Sequence, residues 1–162
     1  GFTKALFMNC DHSLLTYSFY KQPNQILKLF AIRLREIIKI NLPPAAVIGS
    51  GLALLLFASG GTDNPLDYAI VFVSIMCMSG FFSVHYLVIY YLLQPYNAQT
   101  DMKSATYKLV LTITYLVCFY LMRLRMPTFV FGLLTIVFCV LYCAIACVLV
   151  YRFAPKTFRL RP

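Results

Sequence analysis

The sequence predicts an all-α, polytopic membrane protein in which four transmembrane helices follow a basic amphipathic interfacial helix. Three observations carry this prediction: 61% of the 162 residues are hydrophobic, only 12% are charged, and the apolar residues form long uninterrupted runs. Soluble domains average nearer half apolar and a quarter charged. Runs of about 20 apolar residues are typical of membrane-spanning helices, and the mean hydropathy of +0.79 agrees with that class.

The N-terminal segment, residues 1–42, is predicted to be cytoplasmic and to contain the amphipathic helix. Within residues 24–41, apolar side chains recur at three- and four-residue spacing, which favours a helix with one apolar face. The opposite, mainly basic face holds Gln25, Lys28, Arg35, Glu36 and Lys39. A basic amphipathic helix is typical of the membrane interface. A helix packed within a soluble domain is the alternative.

The transmembrane domain is predicted over residues 43–151, and its first two spans are 43–59 and 68–93. The proline pair at 43 and 44 opens the first span, since the first turn of a helix tolerates proline. The second span holds no Lys, Arg, Asp or Glu and exceeds the ~20 residues that a bilayer requires. Its later end predicts an aromatic belt at the membrane interface. The tyrosines of this belt are Tyr86, Tyr90, Tyr91 and Tyr96.

The third and fourth spans are predicted at 105–122 and 128–151, and a basic cytoplasmic tail follows at 152–162. Lys108 lies one turn inside the third span, from where its long side chain can reach the headgroups. The fourth span is uncharged for 24 residues. It is therefore long enough to cross the hydrocarbon core of a bilayer.

The distribution of basic residues predicts that both termini are cytoplasmic. In that orientation, all of the 14 Lys and Arg residues except Arg123 and Arg125 lie on the cytoplasmic side. The opposite orientation reverses the ratio, and Lys and Arg favour the cytoplasmic side of a membrane. We therefore assign the positive charge to topology and headgroup contact rather than to nucleic acid. The expected location is the cell membrane, with lipids as partners.

Small residues at spacings of four and seven residues predict two helix-packing faces. Those on the first span are Ala45, Gly49 and Ala53, and those on the fourth are Gly132, Cys139, Cys143 and Cys147. A metal or redox site is the alternative for the three cysteines. Thiols one turn apart lie in a line, however, whereas zinc takes tetrahedral ligands. We therefore expect packing and predict neither a metal site nor a cofactor.

His85 is the only ionisable side chain well inside the second span. Such residues are costly in hydrocarbon unless they are paired, so each is a functional candidate. Ser83 or a backbone carbonyl could satisfy this histidine, and an intramembrane enzyme that uses His85 with a cysteine is a further hypothesis. The sequence contains no phosphate-binding loop, no Gly-x-Ser-x-Gly and no His-Glu-x-x-His. We therefore predict no enzyme activity in this chain itself.

Residues 9–41, NCDHSLLTYSFYKQPNQILKLFAIRLREIIKIN, resemble the permeases of type-2 ATP-binding-cassette (ABC) exporters, particularly the large exporter permeases of Gram-positive bacteria. In that family a cytoplasmic stretch with an aspartate, a Leu-Leu pair and aromatic residues precedes a basic helix and a closing block of spans. The matching residues are Asp11, Leu14, Leu15, Phe19, Tyr20, Lys28 and Arg33. Residues 81–97 and 154–161 are also similar to that group. The four predicted spans are fewer than the family's six or more.

The resemblance implies the C-terminal part of an exporter permease of the bacterial inner membrane, driven by a separate ATP-binding subunit. Further permease helices or a second permease copy would lie beside it. The sequence begins with Gly1, and we expect a fragment of a longer permease. The implied ATPase-coupling residues are Asp11, Leu14, Leu15, Lys28, Arg33, Arg35 and Lys39. A non-catalytic accessory or scaffold subunit of a membrane complex is the alternative.

Overall fold

The computed structural model describes residues 22–62, 64–93 and 105–157, and these residues form four α-helices. In chain order the helices are α1 (Pro23–Ala58), α2 (Leu66–Leu93), α3 (Ala105–Leu121) and α4 (Thr128–Thr157). The predicted all-α class is thereby confirmed. Among the residues named above, Asp11, Leu14, Leu15, Phe19, Tyr20 and Tyr96 lie outside the described residues.

Helices α1, α2 and α4 are long and apolar enough to cross a membrane. Helix α2 has 28 residues and α4 has 30, so at ~1.5 Å per residue each exceeds the ~30 Å hydrocarbon core. Helix α3 is also apolar but has only 17 residues, a rise of about 25 Å. The architecture is compatible with a multi-pass membrane protein. A crossing by α3, and hence the count of four spans, stays a prediction.

The predicted interfacial helix and the first predicted span form one continuous helix, α1. The prediction that Pro43 and Pro44 start a helix is therefore wrong, since both lie in the interior of a 36-residue helix. The apolar periodicity of residues 24–41 continues the helix into the proline pair. An interior proline costs ~3 kcal/mol or more, because it removes one backbone hydrogen bond and crowds the preceding turn. This turn of α1 therefore lacks the backbone hydrogen bonds that Pro43 and Pro44 cannot donate.

The connection between α1 and α2 requires glycine. Gly60 and Gly61 have φ angles of 116° and 70°, which residues with a Cβ rarely adopt. The Gly61 amide donates to the Leu56 carbonyl at 3.0 Å and so caps the end of α1. At the start of α2, the Leu66 amide donates to Asn64 Oδ1 at 3.1 Å. Local turn chemistry therefore sets both helix ends.

Helix α4 continues to Thr157, six residues beyond the predicted end of the fourth span. The prediction took the first charged residue, Arg152, as the end of the span. The end of an apolar run marks where the hydrocarbon ends, but a helix continues for as long as its backbone groups are paired. The predicted tail is therefore helical up to Thr157.

The chain divides into two compact units, and α1, α2 and α4 each contribute residues to both of them. The described residues of unit 1 are 22–32, 86–93, 105–124 and 147–157. Unit 2 contains Arg33–His85 and Arg125–Ala146.

In unit 2, one face of α2 packs antiparallel against α1. Asn41 hydrogen-bonds to Ser83 at 2.8 Å, and Gly49 lies so close to Phe72 that an added Cβ would stand 3.0 Å from the phenylalanine ring. Contacts therefore move towards the N-terminus of α2 as they move towards the C-terminus of α1. The missing side chain of glycine is what permits this close approach between the two helices.

The opposite face of α2 packs against α4 in unit 2, and here the two helices are parallel. A Cβ on Gly132 would stand 3.0 Å from Ile70 Cγ1, and His85 contacts Tyr142 further along both helices. Each neighbour of α2 thus presents a glycine to one of its large side chains.

In unit 1, the last two turns of α2 are deeply buried. Tyr90 and Tyr91 are 0% exposed, and the Phe30 ring meets Tyr91 edge-on at 5.2 Å between centroids. The Thr157 hydroxyl donates to the Tyr91 carbonyl at 3.2 Å. The predicted aromatic belt is therefore wrong for Tyr90 and Tyr91. Composition alone does not separate tyrosines that face lipid from tyrosines that fill a protein core.

Replacing Gly49 with leucine should destabilise the protein by about 1–3 kcal/mol, because the new side chain must push α1 away from Phe72. Gly51→Leu is the matched control, since nothing lies within 4 Å of a Cβ at that position of the same helix. Unfolding in detergent, followed by circular dichroism, measures both variants. Equal stability of the two variants would contradict close packing at Gly49.

Candidate functional site

The first polar cluster of unit 2 joins α1 to α2 and is named here the Asn41 cluster: Asn41, Ser79 and Ser83. Asn41 Nδ2 donates to Ser83 Oγ at 2.8 Å, and Ser83 Oγ donates to the Ser79 carbonyl at 2.8 Å. Ser79 Oγ lies 3.4 Å from the Asn41 carbonyl, a longer donor–acceptor distance. Asn41 is thus held to α2 through both its side chain and its backbone.

The Asn41 cluster lies just before the proline pair. Pro43 and Pro44 have no backbone N–H, so the carbonyls of Lys39 and Ile40 lose their usual donors four residues later. Both of those residues are exposed, whereas Asn41 is half-buried against α2. Carbonyl groups without intrahelical donors need water or headgroups, because hydrocarbon offers no hydrogen bonds.

The second polar cluster of unit 2 joins α2 to α4 and is named here the His85 cluster: Phe81, His85, Phe138 and Tyr142. The Tyr142 hydroxyl and His85 Nδ1 are 2.5 Å apart. The Phe81 ring stacks on the imidazole, with centroids 5.4 Å apart and planes 14° apart, and meets the Tyr142 ring at 4.7 Å. Aromatic side chains thus surround the polar pair.

The hydrogen-bond partner of His85 is Tyr142, whereas the sequence suggested Ser83 or a backbone carbonyl. Ser83 hydrogen-bonds to Asn41 and to the Ser79 carbonyl, and its place beside the imidazole is taken by Tyr142. Positions 83 and 85 are two residues apart, or about 200° around a helix, so they face opposite neighbours. His85 is only 8% exposed. Pairing with Tyr142 lowers the cost of burying it.

The described members of the predicted coupling segment divide into two environments. Lys28, Arg35 and Lys39 are exposed, and Lys39 Nζ lies 2.8 Å from Glu36 Oε1. Arg33 is only 9% exposed. It falls on the same side of α1 as the buried residues Ile26 and Phe30, which precede it by seven and three positions. The exposed basic surface of α1 therefore excludes Arg33.

The predicted helix-packing residues are buried to different extents. Ala45, Gly49, Gly132 and Cys139 are buried, whereas Ala53, Cys143 and Cys147 are half-buried. The two glycines lie close to large side chains of α2, Gly49 to Phe72 and Gly132 to Ile70. Within residues 22–62, 64–93 and 105–157, no group of three or more His, Cys, Asp or Glu side chains could hold a metal ion.

Comparison with protein-family models, curated proteins and solved structures finds no significant match to this chain. Residue chemistry and geometry are therefore what support a function. The sequence analysis did not identify Asn41, Ser79 and Tyr142 as site residues. Each is a polar residue in or beside an apolar run, and that signal is weak, because serine and tyrosine are common in membrane helices.

Replacing Tyr142 with phenylalanine should destabilise the protein by about 0.6–1.7 kcal/mol, because His85 loses its hydroxyl partner. Tyr151→Phe is the matched control, since that tyrosine is 71% exposed. A double-mutant cycle with His85→Leu isolates the interaction. A loss no larger than that of Tyr151→Phe, or zero coupling to His85, would contradict a stabilising pair.

Proposed function

We propose that the chain is the membrane-spanning permease portion of an ATP-driven exporter and works with a separate ATPase subunit. One observation carries the proposal: α1 is a single helix that joins an exposed basic segment to an apolar segment. A movement imposed on the basic segment would act on the turn at Pro43–Pro44, where the apolar segment begins. The resemblance of residues 9–41 to the permeases of ABC exporters also supports this function.

The basic surface supports contact with an acidic partner. Lys28, Arg35 and Lys39 are separated by seven and four residues, so they lie on one side of α1 within about 40°. Exposed charges contribute to partner choice and association rate more than to affinity. This surface, together with residues 9–21, is the proposed docking site for the ATP-binding subunit.

The polar groups of unit 2 support a role in transport. The apolar half of α1 is preceded by a proline pair, and interrupted helices beside polar side chains are typical of substrate paths in transporters. The Asn41 and His85 clusters place polar groups on two faces of α2. In a membrane, such groups are retained where they serve packing or a pathway.

The proposed topology has four crossings, by α1, α2, α3 and α4, with both termini in the cytoplasm. We place the cytoplasmic boundary near Asn41, because the exposed Glu36–Lys39 ion pair precedes it and the exposed residues from Val47 to Phe57 are apolar except for Ser50. Residues 24–41 would then lie in the interface. Crossing by α3 needs a thin or locally thinned bilayer, a modest cost for a 17-residue helix.

An accessory or scaffold subunit is the second candidate function. The close contacts of Gly49 and Gly132 show that small residues in this chain bring helices together. The same kind of contact would join further permease helices, a second copy or unrelated partners. Purifying the chain and identifying the proteins recovered with it distinguishes an exporter permease from a scaffold subunit.

Reversing the exposed charges with Lys28→Glu and Arg35→Glu should reduce recovery of the ATP-binding subunit by at least about tenfold, because two attractive charges become repulsive. The tagged protein is purified from native membranes, and the phosphate-binding-loop subunit is quantified per bait by mass spectrometry. Arg33 is left unchanged, since a carboxylate at that buried position would disturb folding.

Arg123→Glu with Arg125→Glu is the matched control, because it makes the same change in charge at an exposed turn on the opposite predicted side. Retention of the ATPase by the control and loss by the test variant supports docking on α1. Equal recovery with both variants would show that this surface does not bind the ATPase. Recovery of the wild-type chain with unrelated partners alone would favour the scaffold.

Reporter fusions test the topology. If all four helices cross, a cytoplasmic fluorescent reporter should be active at both ends of the chain, and alkaline phosphatase should be active when inserted at 124–127. If α3 does not cross, the two ends lie on opposite sides of the membrane and one terminal fusion is dark. Fluorescence at only one end would therefore contradict the four-span topology.

A further inference from the structure

We propose that α1 is hinged at Pro43–Pro44 and that the Asn41 cluster is a latch holding the preceding segment, residues 33–42, against α2. The proposal concerns motion within unit 2 and goes beyond the exporter assignment. Three features that follow one another along α1 support it. These are the hydrogen-bonded turn at Asn41, the proline pair, and the closely packed turn at Gly49.

The proline pair supplies the hinge. Two consecutive residues without N–H groups remove two consecutive backbone hydrogen bonds, those that would end at the carbonyls of Lys39 and Ile40. Sharp bends in helices are nearly always found at such positions. Helix interiors on either side keep their backbone pairing, so rotation concentrates in this one turn.

The two sides of the hinge are attached to α2 by different kinds of contact. After the prolines, Gly49 packs directly on Phe72, and the Phe57 ring meets the Tyr68 ring at 6.3 Å. Before the prolines, the contacts at Asn41 are hydrogen bonds to Ser83 and Ser79. Directional hydrogen bonds break with a small displacement, whereas separating close-packed surfaces opens a void. Within unit 2, the hydrogen-bonded contact at Asn41 is therefore the one that opens with the smaller displacement.

Apart from the buried Arg33, the charged residues of 33–42 are exposed, which is consistent with movement. Arg35 is exposed, and the Glu36–Lys39 pair is about half exposed on each side chain (54% and 55%). These groups require water or lipid headgroups in every position of the segment. Residues 33–42, if they lie in water or headgroups, can leave α2 without carrying unpaired backbone groups into hydrocarbon. Residues 45–58, which follow the prolines, cannot do so.

Hydrogen–deuterium exchange of the full chain in lipid nanodiscs tests the latch. Ser83→Ala removes the acceptor of Asn41 and should speed amide exchange in residues 33–42 by about 3- to 20-fold, the range expected for one hydrogen bond between membrane helices. Exchange in residues 45–58 should stay within about twofold of wild type. Asn41→Leu, which keeps the side-chain volume and lacks the donor, should reproduce the result.

Ser74→Ala is the matched control. Ser74 is a buried serine of α2 whose hydroxyl bonds to the Val71 carbonyl of its own helix at 2.8 Å. It should leave exchange in residues 33–42 unchanged. An effect of Ser83→Ala and Asn41→Leu no larger than that of Ser74→Ala overturns the latch.

Replacing both prolines with alanine tests the hinge. In the Ser83→Ala background, Pro43→Ala with Pro44→Ala should return exchange in residues 33–42 at least halfway to the wild-type rate, because the restored backbone bonds resist bending. If opening is unchanged by the proline replacements, or if residues 45–58 open together with 33–42, the hinge is wrong. These exchange rates do not depend on an ATPase, so failure of the hinge and failure of the exporter proposal are distinguishable.

Discussion

Hydrocarbon offers no hydrogen-bond partner, so polar groups buried between membrane helices need partners within the protein, and α2 forms such pairs with a neighbouring helix on two of its faces. Ser83 bonds to Asn41 of α1, and His85, about 200° around the same helix, meets Tyr142 of α4. Each face also carries one large residue opposite a glycine. A one-residue change in the register of α2 would separate all of these contacts together.

The helices themselves could be predicted, because a long apolar run has few other stable solutions in a membrane. The start of α2 and both ends of α3 lie within two residues of the predicted limits. The predicted helix limits are wrong where the amino-acid composition changes but the backbone hydrogen bonding of the helix continues. Pro43 and Pro44 mark a change from amphipathic to apolar sequence, yet the helix passes through them, and α4 passes Arg152 in the same way.

The hydrogen-bonded pairs at the candidate site could not be predicted, because they depend on how neighbouring helices are aligned along their axes. His85 was recognisable as an ionisable residue in an apolar run, but its partner is 57 positions away. The sequence does not indicate that Tyr142, rather than another tyrosine, meets His85, whereas Tyr151 at the end of the same apolar run is 71% exposed. Arg33 and Arg35 are a contrasting case, because their positions about 200° apart around α1 follow from the sequence, and only Arg33 falls on the buried side.

The depth of the His85 cluster follows from the length of α2. From Leu66 to His85 the helix rises about 28 Å, nearly the full thickness of a hydrocarbon core. If Leu66 lies near one surface, His85 lies near the other, where the Glu36–Lys39 pair of the neighbouring helix also requires water. An imidazole at that depth costs far less than one at the bilayer centre. The burial of His85 is then explained by packing against aromatic rings and Tyr142, and both polar clusters of unit 2 lie at one end of its apolar helices, beside the turn that the prolines weaken.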